Sequence, residues 1–149
     1  MEITVNWQGG MAFAGSNGST NTIMDAGKKY GGLGSGPSPM ETLLMSLGGC
    51  TGMDSISILR KVKDKLDAFD IHIDAKRQPT HPKVFREITL TFRFQGDDAL
   101  RDVIIDAVTR SQNKYCAISA MLAKGAPVHY HILLNGVQIH SAVAHENQA

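Results

Sequence analysis

An α+β fold is predicted by three features of the sequence. Segments with period-two alternation come in runs instead of alternating regularly with helical ones. Nine of the fifteen glycines fall within the first 36 residues, among short alternating stretches that read as strands and turns. A helix-start signature at residues 38–41 opens a long stretch with helical periodicity. With 149 residues, 42% of them hydrophobic and 19% charged, the chain is expected to form one domain, 1–149, able to bury a core without metal or disulfide staples.

The N-terminal third reads as a β-meander. Ile3, Val5 and Trp7 alternate with Thr4 and Asn6; Gly9 and Gly10 turn the chain into residues 11–14; Asn17-Gly18 is a hairpin signal leading into residues 20–25. Residues 28–36 read as a flexible loop. Its glycines imitate a phosphate cradle but lack the Lys-Ser/Thr ending and the preceding buried strand.

Ser38, Pro39 and Glu41 supply a cap, a first-turn proline and an acid three residues after the cap. Leu43, Leu47, Cys50, Ile58, Val62 and Leu66 carry the helix, as read from spacing, to about residue 67, with Arg60 to Asp67 as a solvated face. Two half-buried strands follow. Phe69, Ile71, Ile73 and Ala75 line one, Ile88, Leu90, Phe92 and Phe94 the other, and they join near Pro79 and Pro82. Gly96-Asp97-Asp98 then caps a helix whose apolar stripe is Leu100, Val103, Ile104, Ala107 and Val108. A shorter helix over 115–124 stops at Gly125 and Pro127, and Val128, Tyr130, Ile132 and Leu134 alternate as a last strand before Asn135-Gly136. The expected order is β-β-β-α-β-β-α-α-β, with a frayed tail from Ser141.

Fifteen Lys and Arg against fourteen Asp and Glu give a net charge of +1, which leaves no broad field for nucleic acid or an anionic membrane. The uncharged run over residues 42–53 is 12 residues long and interrupted by three glycines, too short to span a bilayer. No signal core precedes the first strand, so a cytoplasmic location is expected.

Cys50 and Cys116, separated by 66 positions, fit neither a zinc-knuckle nor a CxxC spacing. They are either two small buried hydrophobes or a redox pair assembled by the fold. Cys50 shares a helix face with Leu43 and Leu47 and is expected to point inward. Three glycines around it, each costing about 1 kcal/mol in a helix interior, imply close approach of a second helix or of a substrate. Cys116, at a helix start beside Lys114, sits where the dipole would favour a thiolate. Asp54, one turn after Cys50, would oppose a thiolate there if it faced the same way.

Gly36-Pro-Ser-Pro-Met-Glu-Thr-Leu-Leu-Met-Ser-Leu-Gly-Gly-Cys-Thr51 and Lys114-Tyr-Cys-Ala-Ile-Ser-Ala-Met-Leu-Ala-Lys-Gly125 resemble the OsmC/Ohr family of osmotically induced and organic hydroperoxide resistance proteins. Trp7-Gln-Gly-Gly10, Asp25, Gly31-Gly32 and His81-Pro-Lys-Val-Phe85 extend the resemblance nearly end to end, toward the OsmC-like branch. It implies an OsmC-like fold in an intertwined homodimer, with the cysteine-bearing helices central and a composite site at the interface. It also implies a thiol peroxidase without metal or organic cofactor. Cys50 would attack an organic hydroperoxide, Cys116 would resolve the sulfenic acid as a disulfide, and a dithiol such as a lipoylated protein would recycle it.

The sequence departs from the peroxidases of the family in two places. Their activating arginine comes from the N-terminal β-region, yet the first arginine here is Arg60. Their glutamate aligns with Met40, and the acid present is Glu41; nine helical positions, about 14 Å of rise, separate it from Cys50. Glu41 and Lys114 are the supporting candidates, with Lys28, Lys29 and Arg86 as further substitute cations. The alternative reading is a catalytically degenerate OsmC-like protein that binds an apolar small molecule at the interface, its cysteines structural or redox-sensing. The methionines, among them Met11, Met24, Met40, Met45, Met53 and Met121, suit an adaptable pocket as well as a core. A third reading pairs His129 and His131, on one strand face, with a cysteine as a zinc site. His72, His81 and His140 belong to no arrangement.

Overall fold

Period-two alternation produces two separate sheets in the computed structural model, which describes residues 1–146. The chain forms two compact units, Met1–Met45 and the residues from Ser46 onward. In the first, β1 (Thr4–Trp7), β2 (Phe13–Ser16) and β3 (Asn21–Met24) pair antiparallel in that order. Gly9 and Gly10 adopt φ of +96° and +54° at the first turn, and the Trp7 indole N–H donates to the Gly10 carbonyl at 3.0 Å. At the second turn the Asn17 side-chain oxygen accepts the Ser19 and Thr20 amides at 3.0 and 2.8 Å, the local bond that favours asparagine there.

Residues 28–36 are not the free loop the sequence suggests, because one carboxylate gathers them. Asp25, 3% exposed, accepts the amides of Ala26 (2.7 Å), Leu33 (3.0 Å) and Ser35 (3.0 Å) and the Ser35 hydroxyl (2.9 Å). The Ser35 amide leads these bonds in holding the carboxyl down at about 2. A Cβ at Gly32 would stand 1.8 Å from the Ala26 carbonyl oxygen, so this wrap admits only glycine.

α1 (Pro39–Ile58) opens as its signature predicts. The Ser38 amide and hydroxyl both donate to the Glu41 carboxylate at 2.7 Å, a capping box. The helix ends at Ile58, nine residues before the expected limit, so residues 60–67 are not a helix face. Tertiary pairing overrides local propensity there: Leu59 is buried, a 3₁₀ turn over Lys63–Lys65 redirects the chain, and Leu66 already pairs with Gly96.

In the second unit β4 (Leu66–Arg77), β5 (Phe85–Gly96), β6 (Val128–Leu134) and β7 (Val137–Val143) form one sheet in sequence order. β4 with β5 and β6 with β7 are antiparallel, but β5 and β6 run parallel. A parallel pair needs a crossover, supplied by α2 (Arg101–Arg110) and α3 (Ala117–Ala123). Ile88, Leu90, Phe92 and Phe94 of β5 and Val128, Tyr130, Ile132 and Leu134 of β6 are all buried, as alternation predicts. Phe69 of β4 stacks on Phe94 at 4.1 Å, and Leu100, Ile104, Ala107 and Val108 of the crossover complete the core. Val103, expected in that stripe, is 43% exposed. Asn135-Gly136 is a hairpin turn, with φ of 52° and 81°, and does not end the sheet. Residues 141–143 of the tail expected to fray from Ser141 thus belong to β7, and its last part, 147–149, lies outside the described residues. Among the described residues, no helix is long and apolar enough to cross a membrane.

Candidate active site

Beyond Ser46, α1 buries one line of residues spaced by four, Leu47, Thr51 and Ser55. Cys50 and Asp54 form the adjacent line, both half-buried. Cys50 therefore stands at the edge of the interior, and Leu43, its expected companion, is 37% exposed. Within the chain, the face of β4 approaches two of the small residues around the thiol. A Cβ on Gly48 would meet Ile73 Cδ1 at 3.1 Å and one on Gly52 would meet Ile71 Cδ1 at 3.4 Å, whereas Gly49 faces open space apart from the Met53 methyl at 4.0 Å.

Cys116 reaches this helix from the crossover. α2 ends in a π-helical turn over Ser111–Tyr115, and Cys116 then caps α3, its amide donating to the Ser111 carbonyl at 2.9 Å and its sulfur accepting the Ser119 amide at 3.4 Å. A chain of buried polar groups ties the turn to α1. Ser119 Oγ donates to Gln112 Oε1 (2.9 Å), Gln112 Nε2 donates to Thr51 Oγ1 (2.6 Å), and Thr51 and Ser111 hydroxyls meet at 2.8 Å. Ser111 Oγ in turn donates to Asp54 Oδ2 at 3.1 Å. The arrangement in which the Thr51 and Ser111 hydroxyls each accept one bond and donate the next runs from Ser119 to the Asp54 carboxylate, and all four neutral members are fully buried.

The outcome is a cluster in which one donor atom each from Cys50, Asp54 and Cys116 lie within 4.8 Å of one another. Burial, foremost, pushes the Cys116 thiol up to about 12; Cys50 and Asp54 push the same way, and only the Ser119 amide opposes them. The helix start thus does not yield the expected thiolate, because desolvation and neighbouring negative charge outweigh one amide and a short dipole.

The supporting candidates have partners of their own. Glu41 is held by Ser38, which lowers its carboxyl below the ordinary range. The Lys114 ammonium sits 5.4 Å from the Tyr115 ring centre, and Arg110 bonds the Tyr115 hydroxyl at 3.1 Å and Asp106 at 3.3 Å. Lys29 rests over Tyr30 at 5.8 Å. His129 and His131 sit opposite Thr89 and Thr91, the polar partners on the sheet face away from the core, and neither joins the cysteine cluster. Thr51, Ser111, Gln112 and Ser119 were not legible as site residues, since small polar groups between helices read as solvent-facing.

The family pattern described as OsmC-like protein matches residues 32–131, a span holding both cysteines. The chain belongs to this OsmC-like family. Protein YhfA of Escherichia coli K12 is 32% identical over 128 residues, covering 86% of this OsmC-like chain and 93% of YhfA. A hypothetical protein from Aquifex aeolicus VF5 superposes with a TM-score of 0.72 at 23% identity, covering 90% of this chain and 96% of its own. An organic hydroperoxide resistance protein OsmC from Legionella pneumophila gives a TM-score of 0.61 at 13% identity, covering 89% and 96%. The α+β arrangement of two sheets and three helices is the OsmC-like fold these structures share.

Proposed function

We propose that this OsmC-like protein is a cysteine-based thiol peroxidase for organic hydroperoxides. The observation that carries the reading is the meeting of two thiols 66 positions apart, one at an accessible helix edge and one buried at a helix cap. The Cys50 thiolate attacks the peroxide O–O bond, giving a sulfenic acid and, after protonation, the alcohol. The Cys116 sulfur then attacks the Cys50 sulfur, its proton leaves with the hydroxyl as water, and a disulfide forms. Asp54, fixed by Ser111 beside both sulfurs, is placed to accept that proton in transit. The net change is one hydroperoxide and two thiols to one alcohol, one water and one disulfide. A dithiol such as a lipoylated protein returns the disulfide to thiols.

A single family domain, a cytoplasmic location and a homodimer with composite sites belong to the same proposal. Exposed Met53 beside Gly49 on α1 supports an interface there. The competing reading, a degenerate relative that binds an apolar small molecule, is favoured by one observation. Burial, with Asp54, acts against thiolate formation at Cys116, and Lys114 is engaged with Tyr115.

Titration of the reduced protein with one equivalent of an organic hydroperoxide at neutral pH separates the two. Turnover predicts loss of two thiols and of about 2 Da by intact mass, abolished in Cys50→Ser and Cys116→Ser. Thiols that survive as long as free cysteine would sink the peroxidase and leave the binding protein.

A further inference from the structure

The Cys50–Asp54–Cys116 cluster is a set of electron-pair donors, two of them thiols that become anionic on ionisation. Of the positive groups at the end of α2 and on the adjoining π turn, Arg110 bonds Tyr115 and Asp106, and Lys114 lies over the Tyr115 ring. Two sulfurs and a carboxylate are a soft donor set with one hard member, which suits zinc and disfavours magnesium or calcium. In a tetrahedral zinc site, with Zn–S near 2.3 Å and Zn–O near 2.1 Å, donor atoms stand about 3.5–3.8 Å apart. The cluster lies within 4.8 Å, so a contraction of about 1 Å closes it.

The surroundings are those of a supported site. Ser111 donates to the Asp54 oxygen at 3.1 Å and is itself held by the buried chain through Thr51, Gln112 and Ser119. The Ser119 amide donates to the Cys116 sulfur at 3.4 Å. Such outer hydrogen bonds orient ligands and tune their basicity. Cys116 is the closed side of the cluster, and Cys50 and Asp54 leave the other side for entry and for a fourth ligand from solvent.

We propose that the dithiol form of this cluster binds a thiophilic divalent cation, zinc foremost, through Cys50 Sγ, Cys116 Sγ and an Asp54 carboxylate oxygen, and that the disulfide form cannot. The inference uses the same cysteines as the proposed peroxidase but does not require turnover. Where both hold, they are exclusive states of one site. An organic hydroperoxide would discharge the ion: the two thiolates give up two electrons, the S–S bond forms, the O–O bond breaks, and two protons complete the alcohol and water as the divalent cation leaves.

The test is titration of metal-free, reduced, full-length protein with zinc chloride against a chromogenic chelator, with cobalt(II) as a spectroscopic substitute. One equivalent per chain is expected, with cobalt–thiolate charge-transfer absorption and tetrahedral ligand-field bands. Cys50→Ser and Cys116→Ser should each abolish the tight site, Asp54→Asn should keep the sulfur band and lose at least about tenfold in affinity, and Ser111→Ala should lose about tenfold. Circular dichroism of each metal-free variant checks the fold, and alkylated wild-type protein gives a thiol-blocked control on the native sequence. Absence of micromolar binding by protein with both thiols free would overturn the proposal, as would binding that survives alkylation or both serine variants. Oxidation by hydroperoxide is followed separately on zinc-free protein. Zinc binding without oxidation removes the peroxidase and keeps the metal site, and oxidation without zinc binding does the reverse.

Discussion

In the first unit one carboxylate, Asp25, gathers four donors from residues 26–35, whereas in the second a line of neutral groups runs from Ser119 through Gln112 and Thr51 to Ser111. Asp25 is buried but its loop partners Leu33 and Ser35 are exposed, whereas every neutral member of the second line is fully buried, and the two answer to different perturbations. A charged acceptor binds its loop only while ionised, so the first unit is sensitive to acid. The neutral line has no titrating member before it reaches Asp54, and it lies beside a dry core of β5 and β6 side chains, so the second unit is sensitive to lost atoms instead.

The largest test of this contrast is truncation of the dry core. Phe92→Ala should lower the unfolding free energy by about 3–5 kcal/mol, read from denaturant midpoints, against about 1 kcal/mol or less for Ile23→Ala in the first unit, where Ile23 is 41% exposed. Equal losses would show that the first sheet is as well packed as the second. Next, Gln112→Ala leaves the Ser119 and Thr51 hydroxyls without a shared partner and should cost about 1–3 kcal/mol, with no dependence on pH between 5 and 8. A neutral outcome would mean that water replaces the amide without loss. The most local effect belongs to Asp25. Its carboxyl is held at about 2, below the roughly 3.9 of an unfolded aspartate, so its stabilisation is complete above the unfolded value and is lost as pH falls through the folded one. Amide exchange at Leu33 and Ser35 should therefore accelerate between about pH 4 and 2, and Asp25→Asn should show that fast exchange already at neutral pH. Unchanged protection in the asparagine variant would put the loop's order in its backbone alone.

What was legible in the sequence follows the same division. β4, β5 and β6 could be read because apolar residues alternate along each, on a half-buried face in β4 and a buried face in β5 and β6, and Ser38 with Glu41 wrote the start of α1 within four residues. The end of α1 could not, because residues 59–66 are competent helix formers and are drawn away by pairing with a strand some thirty residues later. β7 is hard to read from the sequence despite the hairpin signal Asn135-Gly136, since Val137 and Gln138 are both exposed and a register shift blurs its alternation. At the site, the two cysteines stood out through family resemblance, and Asp54 through helical spacing. The quartet that fixes them, Thr51, Ser111, Gln112 and Ser119, looks from sequence like linker and surface, because its burial depends on a π turn that no residue pattern announced.

The parallel register of β5 and β6 has a consequence for how this chain can vary in length. The antiparallel β4–β5 connection hangs from the end of its ladder and can grow or shrink without moving either strand. The crossover between Gly96 and Val128 has both ends pinned to neighbouring strands and carries Cys116 midway along it. A residue added before Cys116 rotates the thiol away from α1, and one added after it slides α3 against β6. Insertions in relatives that keep the two-sulfur site therefore belong in the β4–β5 loop and not in residues 97–127.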